Sequence, residues 1–240
     1  MEKSIRKNSK KLNENVFSCD HCGKEYKTEN GLYKHTCKNK IRWNEKDDRD
    51  SKLAFKIFIE FNLYISRSKK EKTLDDFINS NYYDYFKKLS IFILNGYVIL
   101  HEKYYNYLFK TNINMKSWNQ YSIYQGFLLD LYKKEQPTHA IERTLNYIGK
   151  WSEDHNEPWV DFFNKVSPSL AIDWILYGKI SPWVLYCNNG EFGMKIFSRI
   201  TDEQLNIISP MIDPIVWSKR LPTGEIKIQD YVQMMKDQGM

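Results

Sequence analysis

Three of the four cysteines in this 240-residue chain fall within nineteen residues, and their spacing restricts the fold more than any other feature. In the segment FSCDHCGKEYKTENGLYKHTCK, two residues separate Cys19 from Cys22, twelve lie between Cys22 and His35, and Cys37 stands two places after the histidine. Such clustering suits metal ligands rather than a disulfide framework. A two-residue knuckle lets both thiolates reach one tetrahedral ion at about 2.3 Å, while a histidine on the next helix closes the site from the other side. A unit this short cannot keep its fold by apolar burial alone, so a bound Zn2+ would supply much of its folding free energy.

Tyr26 and Leu32 fall where a finger places its two core residues. With them the segment resembles the two-cysteine, two-histidine zinc finger in three ligands and both apolar positions, over about a tenth of the chain. The resemblance implies a ββα-like unit, taken here as residues 17–46. The fourth ligand departs from it, because positions 39–41 are Asn39, Lys40 and Ile41, and Cys37 is the one sulfur or imidazole nearby. Residues two apart on a helix point about 200° away from each other. His35 and Cys37 can therefore share an ion only if the helix unwinds around Thr36, and that unwinding is expected. The expected ligand set is Cys19, Cys22, His35 and Cys37, with His21 exposed and outside it. Cys187 reads as a buried thiol.

By the same resemblance, the base-reading positions would be Thr28, Gly31 and Lys34. Gly31 has no side chain to reach a base edge, and one finger spans only about three base pairs. Sequence-specific reading is thus not expected. Two readings stay open: nonspecific contact with nucleic acid through Lys24, Lys27, Lys34, Lys38, Lys40 and Arg42, or docking of the finger on a partner protein or on its own helical domain.

Charge supports the first. Residues 1–46 carry twelve Lys and Arg against six Asp and Glu, so the net +6 of the chain resides there and 24 of each sign remain for residues 47–240. A basic N-terminus of this kind, with residues 1–16 as a flexible arm, favours phosphates in a salt-dependent way or serves as a solubilising tail. No opening apolar stretch and no run of about 18 apolar residues occurs, which speaks against a signal peptide and a membrane span and for a soluble, cytoplasmic protein.

From residue 47 the pattern is helical, and the expected class is mainly α: a small finger followed by a multi-helix domain over 47–240. Ala54, Ile57, Phe58, Phe61, Tyr64 and Ile65 recur at spacings of three and four. Thr73 caps TLDDFINS, and a further apolar face from Tyr82 to Ile93 ends at Asn95-Gly96. Helices are expected near 101–110, 118–133 and 138–153, the last burying Ala140, Ile141, Thr144, Leu145, Ile148 and Trp151. Ser167-Pro168 and Ser181-Pro182 are helix starts, Gly178 is a stop, and Thr201 with Gln204 forms a capping box for a helix ending at Pro210. Only GEIKIQ at 224–229 alternates like a strand. The many tyrosines could stack on single-stranded nucleic acid, but at helical spacing they read as packing.

The segments GKISPWVLYCNNGEFGMKIFSRITDEQLNIISPMIDPIVWSKRL and EQPTHAIERTLNYIGKW look like uncharacterised tailed-bacteriophage proteins that pair an N-terminal finger with a helical domain. That resemblance implies a phage protein acting on nucleic acid or on host transcription in the bacterial cytoplasm. Catalytic patterns are sparse: there is no phosphate-cradling Gly-rich loop, no His-Glu-x-x-His and no Gly-x-Ser-x-Gly. The expectation is a non-enzymatic adaptor or regulator. Its basic N-terminus would contact nucleic acid, DNA before RNA, and its helical domain would dock a protein of the transcription or replication machinery. The alternative is a metal-dependent nuclease in which Asp213 and Glu225, with Lys227, hold a water-activating ion.

Overall fold

The computed structural model describes residues 16–65, 71–182 and 191–211. Cys187, the GEIKIQ segment, the nuclease candidates Asp213, Glu225 and Lys227, and the basic arm up to residue 15 lie outside them. The class is mainly α, with twelve α-helices among the described residues and one small sheet at the N-terminal end. The chain divides into two compact units, residues 1–90 and 91–240.

The first unit opens with strands β1 (Phe17–Ser18) and β2 (Glu25–Tyr26), paired antiparallel with Phe17 opposite Tyr26. Helices α1 (Glu29–Tyr33) and α2 (Lys38–Asn44) follow. Then come α3 (Arg49–Ile65), α4 (Leu74–Ile78) and α5 (Tyr83–Phe92). The acidic start of α3 suits the positive end of the helix dipole, and its i, i+3, i+4 stripe buries Ala54, Ile57 and Phe58. Its last turn is exposed at Tyr64 and Ile65, contrary to the stripe read from the sequence. Thr73 begins α4 with a reciprocal capping box: its Oγ1 accepts from the Asp76 N–H, and Asp76 Oδ2 accepts from the Thr73 N–H. The core here is aromatic, with Phe77 packed on Phe58 at 5.2 Å and on Tyr83 at 4.7 Å between ring centroids. A π-helical turn over Ile93–Tyr97 follows α5, where the Asn95-Gly96 break was expected.

In the second unit, α6 (His101–Lys110), α7 (Tyr121–Lys134) and α8 (Pro137–His155) lie where the apolar periodicity puts them. The six α8 residues expected inside are all buried. Helix α9 (Phe162–Lys165) and α10 (Pro168–Leu176) follow, and then α11 (Glu191–Phe197) and α12 (Asp202–Ile208). Ser167 caps α10 and Thr201 with Gln204 boxes α12, both as read from the sequence. A short 3-10 turn over Ser209–Met211, containing Pro210, follows α12.

Tyrosines carry much of this core. Tyr104 meets Tyr124 edge-on at 5.2 Å and Phe127 at 5.3 Å. A helix leaves its last four carbonyls without intrahelical partners. At the end of α10 backbone N–H groups of residues 177–180 serve Asp173, Trp174 and Ile175, and α7 adds side-chain donors. The hydroxyls of Tyr132, Tyr121 and Tyr124 donate to the carbonyls of Ile175, Leu176 and the C-cap Tyr177 at 2.8, 3.1 and 2.8 Å. Burial raises these phenols, Tyr121 to about 12. They stay protonated donors at any physiological pH.

Gly178 completes that terminus. Its φ of +79° lies in the left-handed region, and an added Cβ would stand 2.8 Å from Leu128 Cδ2 and 3.1 Å from Ile99 Cδ1. Gly178→Ala is expected to cost about 2–4 kcal/mol, combining left-handed strain with overpacking. Chemical denaturation of the two proteins measures it, and a loss below about 1 kcal/mol would show that this turn relaxes.

Candidate metal centre

The β-hairpin forms a knuckle that aims two sulfurs the same way. The Cys19 N–H donates to the Lys24 carbonyl at 3.0 Å, and the Gly23 N–H donates to the Cys19 carbonyl at 2.8 Å. The reversal needs Gly23 at φ +67°, which only glycine adopts without steric cost. Thr28 then starts α1, its Oγ1 accepting from the Gly31 N–H at 3.1 Å.

Helix α1 stops at Tyr33, Lys34 forms its C-cap, and residues 35–37 are not helical. This is the unwinding that a His35–Cys37 pair requires, and it begins just ahead of the histidine. The chain then starts a second helix, which the sequence reading did not contain. Cys37 is the N-cap of α2, and its Sγ accepts from the Lys40 N–H at 3.4 Å. Cysteine is outside the usual N-cap set, yet a sulfur here serves one of the unpaired N–H groups of the first turn while still facing the other ligands.

The result brings the expected four together. One donor atom from each of Cys19, Cys22, His35 and Cys37 lies within 4.8 Å of every other, and Cys22 Sγ stands 3.3 Å from His35 Nε2. A tetrahedral ion bound at about 2.3 Å to sulfur and 2.0–2.1 Å to nitrogen spaces its ligands by roughly 3.6–3.8 Å, so the donor set suits a single ion. Cys19 and Cys37 are buried and Cys22 is exposed. A tetrahedral ion held there would take all four ligands from the protein, leaving no open coordination site for a substrate.

Electrostatics point the same way. The His21 N–H lowers the Cys19 thiol by hydrogen bonding to its sulfur. The Lys24 backbone lowers Cys22 likewise, but desolvation and the adjacent Cys19 and Cys37 sulfurs outweigh it, and the net direction for Cys22 is up. Three sulfurs gathered this closely can ionise together only with a cation among them. Partial burial, and then the same three sulfurs, raise Tyr26, whose ring lies 5.2 Å from that of His35. Tyr26 and Leu32 are half-buried, covering the site as the sequence pattern implies. His21 is half-buried rather than exposed, and it stands outside the donor set.

Lys24, Lys27, Lys34, Lys38 and Lys40 are all exposed. Arg42 is placed differently: its side chain is 14% exposed. Its Nη1 donates to the carbonyls of Ile78 and Ser80 at 2.9 and 3.3 Å, and its Nη2 donates to Asp84 Oδ1 at 3.2 Å. The guanidinium stacks 4.3 Å above the Tyr83 ring. Nothing in the spacing of the sequence marks Arg42 as different from its lysine neighbours. Of the base-reading positions, Thr28 commits its hydroxyl to the α1 cap, and only Lys34 presents a free-standing side chain.

No family model, curated protein or solved structure matches this chain. The likeness to tailed-phage proteins gains no support from them.

Proposed function

We propose that the protein is a non-enzymatic zinc-finger adaptor: Zn2+ on Cys19, Cys22, His35 and Cys37 orders the finger, whose lysines contact nucleic acid without sequence preference. The carrying observation is the closed set of three sulfurs and one imidazole within 4.8 Å, a donor chemistry that favours zinc in a structural role. Five exposed lysines between residues 24 and 40 surround that set, and none of them enters an ion pair among the described residues. Lys24 lies 5.7 Å from the centroid of the Tyr26 ring, and point charges not held in ion pairs suit phosphates, which they can meet at any base sequence. Arg42 is left out of this surface because its donors serve the fold.

The helical domain over 47–240 reads as the partner-docking part, with a protein of the transcription or replication machinery as its target, and DNA is the favoured nucleic acid for the basic N-terminal region. Tyr104, Tyr105 and Tyr124 are fully buried there, which supports packing rather than base stacking. No helix among the described residues is long and apolar enough to cross a membrane.

Titrating the purified protein onto a labelled duplex by fluorescence anisotropy tests the proposal. Affinity should fall steeply as salt rises from about 50 to about 200 mM, and each lysine that contacts a phosphate should contribute about 0.9 to the slope of log K against log salt. Changing Lys24, Lys27, Lys34, Lys38 and Lys40 together to alanine should flatten that slope. Binding that ignores salt would remove the nucleic-acid reading, and binding undiminished in the five-lysine variant would remove the role given to these lysines.

A further inference from the structure

The metal ligands are joined by a continuous set of bonds to helices forty residues away, all within the first unit. Cys37 belongs to the candidate donor set and is also the N-cap of α2. Two residues on, Asn39 Nδ2 donates to the His21 carbonyl in the knuckle at 3.3 Å and to Asn79 Oδ1, the C-cap residue of α4, at 2.6 Å. One turn further, Arg42 serves the Ile78 and Ser80 carbonyls and Asp84, and stacks on Tyr83. These acceptors lie at the end of α4 and just beyond it, and the Ser80 carbonyl also takes the Tyr83 N–H at 3.2 Å.

Resting on the zinc assignment above, we infer that Asn39 and Arg42 are positioning residues for the metal centre, and that the metal-binding unit of this protein extends through α4 and the start of α5 rather than ending with the finger. Their side chains touch no ion. They fix the direction in which α2 leaves Cys37, and so the place of its sulfur. The reach works both ways, since an ion that pins Cys37 also pins the helix carrying Arg42 against α4. An Arg at this position is not interchangeable with Lys, because one compact ammonium cannot serve two carbonyls, a carboxylate and an aromatic face together. The outer hydrogen bonds of a metal site commonly change its affinity by roughly 10–100-fold, and this is the range expected here.

The test uses the full chain. Zinc content is first measured, then affinity by competition with a chromogenic chelator, for the unaltered protein, Arg42→Lys, Arg42→Ala and Asn39→Ala. Arg42→Lys and Arg42→Ala should lower zinc affinity by about ten-fold or more, and Asn39→Ala by less, with one ion still bound at saturation. Amide exchange on the unaltered protein gives a readout independent of any variant folding poorly. Chelation should raise exchange in Leu74–Ile78 as well as in residues 17–46, and leave α8 of the second unit unchanged. Unaltered affinity in both Arg42 variants, or a rise in exchange confined to residues 17–46, overturns the inference while the zinc assignment stands. Absence of stoichiometric zinc overturns both.

Discussion

Stripping the ion from the protein at neutral pH is expected to unfold residues 17–46 outright. The elements there are two strands of two residues each and helices of five and seven residues, and the finger's two apolar packing residues, Tyr26 and Leu32, are only half-buried. Against that slender core, structural zinc contributes an apparent 10–16 kcal/mol in comparable peptides, so loss of the ion outweighs every local contact in the segment. Replacing a ligand should act nearly as strongly. Cys37→Ser removes one thiolate donor while leaving a hydroxyl able to cap α2, and should lower zinc affinity by more than the roughly 10–100-fold that loss of an outer hydrogen bond costs.

The pH dependence follows from the same chemistry. The ion binds thiolates, so protons compete with it for the sulfurs. Zinc affinity, and the finger stability that depends on it, is therefore lost as pH falls. Zinc content against pH, with far-UV circular dichroism on the same samples, should show metal and finger structure lost together on acidification. A finger that stays folded in excess chelator would sink the assignment.

The second large effect is expected far from the metal. Glu135 and Arg143 form a bidentate pair in the second unit, with side-chain exposures of 2% and 9%. Arg143 Nε also donates to the Gly178 carbonyl at 2.8 Å, adding to the tyrosine hydroxyls that serve the end of α10. A buried pair of charges adds little net stability, because desolvation offsets the attraction, but removing one partner strands the other. Arg143→Ala should therefore cost about 3–5 kcal/mol, and Glu135→Leu with Arg143→Met should cost clearly less than the single change. Equilibrium denaturation of the single and double variants decides it. A single-variant loss under about 1 kcal/mol would mean that water reaches Glu135 and the site is not dry.

Two kinds of information separate in this protein. Caps, stops and apolar faces were legible because each is a relation between residues three or four apart: Thr73 with Asp76, Ser167 with the Leu170 N–H, Thr201 with Gln204. The metal ligands were legible for a related reason, since chelation needs particular donor atoms at short spacing and few residue types supply them. The break between His35 and Cys37 could be deduced because a regular helix cannot turn two residues that are two apart toward one ion.

What the helical stripe alone misjudged was the end of α3, where Tyr64 and Ile65 face outward; periodicity says which residues share a face, not how far along the helix that face is covered. Helix α2 went unread because its N-cap is a cysteine, whose place in the metal motif hid its second use. The roles of Arg42, Arg143 and the α7 tyrosines were beyond the sequence altogether. Each meets backbone carbonyls 35 to 55 positions away. A carbonyl has the same chemistry in every residue, so no pattern of side chains announces which one will be left without a partner, and only the packed chain decides which donor fills it.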